Sequence, residues 1–223
     1  MLVDNRLSRP KISLLGTTAM LFEAPGAFDL ANQRRIWTLA RTVAAWPAVR
    51  EAAPCMTNIM LTFREPPEQP EALEDALVAA WHAAEPDMTE GRTVDVPVIY
   101  GGEYGPDLLD IAQHAGLPPE EVVRLHSGSR LIVFAIGSHP GNAYLGGLDP
   151  RIAVPRRKVP RLRLDAGSVS IGGLQAGLGG TTGPSGWNCL GRARIPVFDP
   201  GRDPPALLAP GDIVRFHAER VIL

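Results

Sequence analysis

Lysine is almost absent from this sequence, and several nucleotide-binding and catalytic motifs are also absent. Of the 223 residues only Lys11 and Lys158 are lysines, and neither follows a glycine-rich loop, so there is no Walker A phosphate-binding sequence. The segment Gly177-Leu-Gly-Gly-Thr-Thr-Gly183 misses the GxGxxG dinucleotide-binding pattern by one position. Ser185 lies in Gly-Pro-Ser-Gly instead of GxSxG, which argues against the nucleophile elbow of a serine hydrolase.

Cysteine and long apolar runs are scarce as well. Cys55 and Cys189 are the only cysteines and form no CxxC pair, so neither a disulfide framework nor a clustered zinc site is predicted. No segment approaches the roughly eighteen continuous apolar residues of a membrane span, and the polar residues 1–11 do not resemble a signal peptide. A net charge of −2 gives no general attraction to nucleic acid or anionic lipid. We therefore expect a cytoplasmic protein with no metal ion and no membrane or nucleic-acid partner.

Strand and helix signals alternate in the first part of the chain. Apolar residues at helical spacing predict helices over 28–46 and 70–85, and short apolar runs predict strands at 12–15, 19–22, 49–54 and 58–63. This order predicts an α+β layer with two helices on one face of an antiparallel sheet. His82, on the second helix, has no other ligand-type residue at helical spacing, and we interpret it as structural. The polar break at 86–92 predicts that this domain covers residues 1–88.

Short β-runs separated by glycine, proline and aspartate dominate residues 89–223. A strand at 94–100 precedes two predicted helices, 106–116 and 119–126, which superficially resemble a helix-turn-helix. The second of these helices offers only Arg124, beside two carboxylates, so we do not expect DNA binding. Closely spaced runs of this kind favour a closed barrel or a sandwich; the candidate strands are 131–136, 161–164, 168–171, 188–191, 194–198 and 213–217.

Two glycine-rich loops are the strongest local features. Residues 137–148 follow an apolar run, and residues 172–187 repeat the same character about thirty residues later. Glycine permits backbone angles that other residues avoid, and proline fixes its own, so both loops have a specified shape. Shaped loops on a rigid strand commonly display binding groups. We predict that these loops form two sides of one site.

The basic run Pro155-Arg-Arg-Lys-Val-Pro-Arg-Leu-Arg-Leu164 has two interpretations. It is either a solvated edge strand whose charges discourage sheet aggregation, or a segment that points Arg161 at a carboxylate or phosphate. Trp187 also has two interpretations, as a core residue or as a platform for a ligand. Gln175 is either a structural residue or part of the site. Metal ligation by His126 and His139 would need convergence with carboxylates, which nothing in their spacing requires.

Several motifs together resemble one family over nearly the whole chain. They are Tyr100-Gly-Gly-Glu-Tyr-Gly-Pro-Asp-Leu108, Leu125-His-Ser127, Tyr144-Leu-Gly-Gly-Leu148, Pro155-Arg156, Pro160-Arg161, Ala166-Gly-Ser-Val169, Gly186-Trp187 and Phe198-Asp-Pro200. The resemblance is to the allophanate hydrolase subunit 1 family, which includes the B subunit of 5-oxoprolinase and the sporulation-kinase inhibitor protein of bacilli. It implies a small α+β N-terminal domain followed by a cyclophilin-like β-barrel over residues 89–223.

The same resemblance implies a function shared between different chains. Members act with a homologous C subunit, and with a lactam-opening A subunit, to open 5-oxoproline to L-glutamate while hydrolysing ATP, which is a co-substrate. On this basis we expect a protein that is inactive alone and works within a heteromeric complex. The family also implies two alternatives: an inhibitor that binds a sensor histidine kinase, and a carboxyl-transfer component of the urea amidolyase type, with biotin carried on another chain.

This reaction would proceed by phosphoryl transfer to the lactam or through a tetrahedral intermediate. Either route requires cationic and polar hydrogen-bond donors. The candidates for this catalytic role are His126, Arg161, Gln175 and Ser185. The candidate substrate-binding residues are Tyr100, Gly102, Tyr144, Gly146, Gly147 and Trp187. The sequence departs from the family's usual aromatic or proline residues at Ser138, Asn142 and Ala143, and its Gln-Thr-Gly-aromatic pattern is replaced by Gln175-Ala-Gly-Leu178.

Overall fold

The computed structural model describes residues 9–223, which divide into two compact units. The first unit ends at Thr89 and the second extends from Glu90 to Leu223. The domain boundary placed from the sequence, between residues 88 and 89, lies one residue earlier. Residues 1–8, part of the segment interpreted above as unlike a signal peptide, lie outside the described residues. Between residues 9 and 223, no helix has the length and apolar character needed to cross a membrane.

The first unit is an antiparallel sheet with two helices. Its strands, in the order β1-β2-β4-β3, are β1 (Lys11–Leu14), β2 (Ala19–Glu23), β4 (Asn58–Phe63) and β3 (Val49–Pro54); its helices are α1 (Leu30–Ala44) and α2 (Pro70–Ala83). Ile59, Leu61 and Phe63 alternate along β4 and are buried, as a strand with one covered face requires. The predicted α+β layer is confirmed.

A buried arginine on α1, Arg35, links the two helices of this unit through contacts with the end of α2. The guanidinium carbon of Arg35, on α1, lies 3.7 Å from the centre of the Trp81 ring on α2. Arg35 also donates hydrogen bonds to the carbonyl oxygens of Trp81 and Ala84, which close the end of α2. A charge stacked on indole and bonded to carbonyls is satisfied in the core. His82 is exposed on the same helix, in agreement with a structural interpretation.

The second unit is built on a closed seven-stranded barrel. The strands, in order around it, are β10 (Gln175–Leu178), β7 (Ala143–Gly146), β6 (Leu131–Ile136), β13 (Ile213–Ile222), β5 (Thr93–Gly101), β12 (Asn188–Ala193) and β9 (Ser168–Gly172). Closure leaves the sheet without open edges. Helices α3 (Leu108–Ala115) and α4 (Pro119–Gly128) and a short 3-10 helix, Pro150–Ile152, complete the unit, together with a two-stranded ribbon of β8 (Arg161–Leu164) and β11 (Gly183–Ser185).

The predicted fold class, α+β with a barrel in the second part, is confirmed, but several strands differ from the prediction. Residues 194–198 are not a strand and contribute only an isolated bridge at Phe198, since Pro196 has no amide hydrogen to give to a ladder. Strands β7, β10 and β11 lie inside the two segments predicted to be glycine-rich loops. Their glycines hid the alternation that identifies a strand.

The alternation in this part of the barrel wall separates an inward apolar face from an outward face that carries small residues beside Tyr144. Pointing inward, and fully buried, are Ala143, Leu145, Val169, Ile171, Ala176 and Leu178. Between them, Tyr144, Gly177 and Ser170 are direct neighbours across β7, β10 and β9, so they share the opposite, outward face. Because glycine and serine are small, this outer face leaves room above the sheet.

Candidate functional site

Above Gly177 and Ser170, on the outward face, lies a cavity of about 380 Å³. Its floor is formed by outward positions of three neighbouring barrel strands, among them Tyr144, Ser170 and Gly177. Residues of both glycine-rich loops line it, from Ser138 in the first to Trp187 in the second. The structure therefore brings the two loops to one cavity, as the sequence predicts, and its volume is that of a small-molecule site.

Trp187 forms a wall of the cavity, and two glycines make space for its ring. A Cβ atom added to Gly172 or Gly177 would lie 3.1 or 3.2 Å from ring atoms of Trp187. The ring stands edge-on to Tyr144, with 5.7 Å between the ring centres. Trp187 is half-buried and lines the cavity, so its position is that of a ligand platform more than of a core residue.

The roof of the cavity is the basic run 155–164, which includes β8, together with β11, the partner of β8 in the ribbon. Arg156, Arg157, Pro160 and Leu164 line the cavity from this side. Buried Asp107 anchors the segment: it accepts hydrogen bonds from Arg157 Nη1 at 2.7 Å and from both terminal nitrogens of Arg161 at 2.5 and 2.7 Å. The hydrogen bond with Asp107 raises the pKa of Arg161. The interpretation that points Arg161 at a carboxylate is therefore what the structure shows, and the carboxylate belongs to the same chain.

The polar groups of the lining are partly committed to one another. The Tyr144 hydroxyl donates to Ser138 Oγ at 2.9 Å, and Ser185 Oγ accepts from the Trp187 backbone nitrogen at 3.2 Å. Asp165 also lines the cavity, and its charge is offset by Arg192 at 3.1 Å and Arg163 at 2.9 Å. The Ser138 residue that departs from the family pattern is thus a hydrogen-bond partner of the predicted substrate-binding Tyr144.

The predicted site residues His126 and Tyr100 do not line this cavity. Both are fully buried in the core of the second unit, where the Tyr100 hydroxyl and His126 Nδ1 lie 2.9 Å apart. The His126 ring also stacks on Phe216, with 4.9 Å between ring centres. Burial lowers the pKa of His126 to about 3 and raises that of Tyr100. A neutral core imidazole of this kind cannot exchange protons with a ligand in the cavity.

Three of the predicted glycines have packing roles instead of ligand contacts. A side chain at Gly102 would collide with Ile222, and one at Gly146 with the Phe134 ring. Gly147 has φ +98° and lies against the Arg130 carbonyl, a position that only glycine tolerates easily. None of the three lines the cavity.

Of the ten predicted site residues, the structure places Tyr144, Ser185 and Trp187 on the cavity. Arg161 lies instead on a smaller neighbouring cavity of about 160 Å³, and Gln175 begins β10 outside the lining of both. Sequence reasoning missed Arg156, Ser170 and Asp107. The signal for Ser170 was the alternation of small polar residues after Ser168, whereas the partners of Asp107 are about fifty residues away in the chain and gave no local signal.

Among residues 9–223, no three His, Cys, Asp or Glu side chains are grouped closely enough to hold a metal ion. Cys189 is buried, and burial raises the pKa of its thiol to about 11. Cys55 is half-buried in the first unit.

Comparison with known proteins places this architecture in a family. The family model described as "Carboxyltransferase domain, subdomain C and D" matches residues 10–208. The chain belongs to this family. It is 42% identical to the B subunit of 5-oxoprolinase from Escherichia coli O157:H7 over 214 residues, which are 96% of this chain and 98% of that protein. The resemblance drawn from the sequence motifs is confirmed.

Solved structures extend the same relationship. A conserved uncharacterized protein from Pyrococcus horikoshii is 33% identical with a TM-score of 0.57, over 94% of this chain and 98% of its own. The urea amidolyase of K. lactis matches 95% of this chain with a TM-score of 0.80 and 20% identity, and this chain spans 15% of its length. At that identity the likeness concerns the fold alone.

Proposed function

We propose that this chain is the B subunit of an ATP-dependent 5-oxoprolinase. In this proposal it acts with a homologous C subunit, and with a lactam-opening A subunit, to open 5-oxoproline to L-glutamate, and ATP is hydrolysed as co-substrate. The observation that carries the proposal is the 42% identity to the 5-oxoprolinase B subunit of E. coli O157:H7, which extends over almost the full length of both proteins.

The chemistry of the cavity supports a small cyclic substrate. Its volume of about 380 Å³ exceeds what a five-membered lactam with one carboxylate fills, and its walls combine the Trp187 ring with serine hydroxyls. Opening an amide develops negative charge on its oxygen, which hydroxyl donors stabilise. Ser185 offers a hydroxyl of this kind in the lining. In this proposal the chain binds and orients the substrate, and ATP supplies the phosphoryl group that activates it.

Genetic complementation tests the proposal in cells. A strain of the native organism that lacks this gene should lose growth on 5-oxoproline as nitrogen source, and the wild-type gene should restore it. A Trp187→Leu gene, expressed at the same level, should restore growth poorly, whereas Arg194→Gln, which changes an exposed cation that pairs with Glu219, should restore it fully. Normal growth of the deletion strain on 5-oxoproline would contradict the proposal.

A further inference from the structure

Arg156 is the cation of the cavity that lacks a carboxylate partner. Its guanidinium carbon lies 5.2 Å from the centre of the Trp187 ring, and no residue between 9 and 223 forms an ion pair with it. The neighbouring arginines are committed: Arg157 and Arg161 to Asp107, and Arg163 and Arg192 to Asp165. A guanidinium held over an aromatic face keeps its donors free for an incoming anion.

Ser170 is a second donor without a partner, and it is buried. The residue is 8% exposed, lies on the cavity floor, and its hydroxyl forms no hydrogen bond to any residue in the described range 9–223. The Ser170 oxygen is not among the fully enclosed, unpartnered polar atoms of residues 9–223, so it is open to the cavity and can donate to a ligand there.

Trp187 links these two donors into one subsite. A Cβ on Gly177 would lie 3.2 Å from Trp187 Cζ3 and 3.4 Å from Ser170 Oγ, so the hydroxyl lies beside the edge of the indole. A Cβ on Gly172 would lie 3.1 Å from Trp187 Cδ2 and 3.3 Å from Arg156 Cγ, so the arginine side chain runs beside the same ring. The two donors thus border one aromatic surface of the cavity.

We propose that Arg156 and Ser170 form an oxyanion-binding subsite that takes the carboxylate of the small substrate, with the rest of its ring against Trp187. Guanidinium offers two parallel donors to a planar oxyanion, and the Ser170 hydroxyl adds a third. The adjacent Arg157 is fixed by Asp107, which holds the backbone beside Arg156 in place and reduces the entropy lost on binding. The substrate assignment rests on the proposed function, because 5-oxoproline carries such a carboxylate; a phosphate of ATP has the same chemistry.

Calorimetric titration of the full chain, alone and with the A and C subunits, tests the subsite. The ligands are 5-oxoproline, 2-pyrrolidinone (the same lactam without the carboxylate), succinate, inorganic phosphate and ATP. We expect Arg156→Gln to raise the Kd for 5-oxoproline about tenfold or more and to leave the Kd for 2-pyrrolidinone unchanged. Arg156→Lys should recover part of the lost affinity for 5-oxoproline. Ser170→Ala should raise the Kd for 5-oxoproline severalfold. The control Arg194→Gln, at an exposed residue, should bind 5-oxoproline with the wild-type Kd. Unchanged unfolding temperatures show that each variant is folded.

The outcomes separate this inference from the proposed function. If Arg156→Gln weakens the binding of ATP and not that of 5-oxoproline, the subsite binds a phosphate of ATP and not the substrate carboxylate. If the wild-type chain does not bind 5-oxoproline in any mixture but binds succinate or phosphate, and Arg156→Gln weakens that binding, the subsite is supported and the proposed function is contradicted. If both variants bind 5-oxoproline and ATP as tightly as wild type, or if the chain binds no carboxylate or phosphate in any mixture, the subsite is refuted.

Discussion

Asp107 and Arg161 lie 54 residues apart in sequence and face each other through two hydrogen bonds, of 2.5 Å from Nη1 and 2.7 Å from Nη2. The Asp107 side chain is 1% exposed, and it also accepts from Arg157 Nη1 and from the backbone nitrogen of Cys189, each at 2.7 Å. One buried carboxylate therefore fastens the roof of the cavity to the barrel. The arginines of this cluster hold the roof in place, and Arg156, whose guanidinium carbon lies 5.2 Å from the centre of the Trp187 ring, is left to meet a ligand.

Replacing Asp107 by Asn should loosen this roof. The change leaves two guanidinium groups without their counter-charge, and breaking a buried pair costs about 3 kcal/mol or more. Because the Arg157 and Arg161 side chains are 30% and 26% exposed, solvent screens part of that loss, and we expect about 2 kcal/mol. Urea unfolding of the full chain measures it, with Glu121→Gln, which breaks an exposed pair with Arg124, as the nearly neutral control. Equal stability of the two variants would show that Asp107 is not an anchor.

Burial of His126 should make the stability of the second unit depend on pH. Its folded pKa of about 3 lies below the ordinary value of 6.5, so between these values the unfolded chain binds a proton that the folded chain does not. This contribution is complete above pH 6.5 and is lost as pH falls toward 3, with a slope of up to about 1.4 kcal/mol per pH unit.

The His126 contribution is isolated by comparison with His126→Gln, which keeps a hydrogen-bonding group near Tyr100. The wild-type free energy of unfolding should fall more steeply than that of the variant between pH 6.5 and 5, while both stay level from pH 7 to 8. Parallel curves over the lower interval would mean that His126 is accessible to protons in the folded state.

Adding one methyl group under the Trp187 ring should impair the cavity. A Cβ at Gly177 would lie 3.2 Å from the ring, closer than usual contacts, so Gly177→Ala should displace the indole by a few tenths of an ångström. We expect the KM for 5-oxoproline to rise about threefold to tenfold, because stacking and donor geometry change together. Gly128→Ala is the matched control, since a Cβ there meets nothing within 4 Å and the KM should not change.

The Cys189 thiol should resist alkylation in the folded protein. Burial raises its pKa to about 11, so the reactive thiolate is scarce at pH 8, and the side chain is hardly accessible to solvent. Mass spectrometry after iodoacetamide treatment should find Cys189 modified only once urea unfolds the chain. In Asp107→Ala, which removes the acceptor of the Cys189 backbone nitrogen, modification should be faster. Rapid labelling of the wild-type folded protein would contradict this burial.

Much of the fold was predictable, because regular patterns of apolar residues identify regular elements. The strand at 58–63, the helix after Pro119 and the strand at 131–136 all coincide with observed elements, since each buries a continuous apolar face. Strands β7 and β10 were not predictable in the same way. Their outward positions carry residues such as Gly177 because the space above them is a cavity and the Trp187 ring, which the sequence does not place there.

The site was only partly predictable for a related reason. Proximity in a motif indicated Ser185 and Trp187, and both line the cavity because they lie in the glycine-rich loop that forms a wall. It also indicated Tyr100 and His126, which lie in the core, where the Tyr100 hydroxyl is 2.9 Å from His126 Nδ1 and His126 Nε2 has no hydrogen-bond partner among residues 9–223. Whether a histidine faces a ligand or a tyrosine depends on packing between α4 and the barrel, and no local pattern contains that information.

The most direct measurement is reconstitution with one component omitted at a time. The purified chain is mixed with the A and C subunits, 5-oxoproline and ATP, and the L-glutamate and ADP formed are quantified. We expect both products in the complete mixture, neither when this chain is left out, and a strongly raised KM for 5-oxoproline when Arg156→Gln replaces the wild type. Glutamate formation at an undiminished rate without this chain would contradict its proposed role as the B subunit.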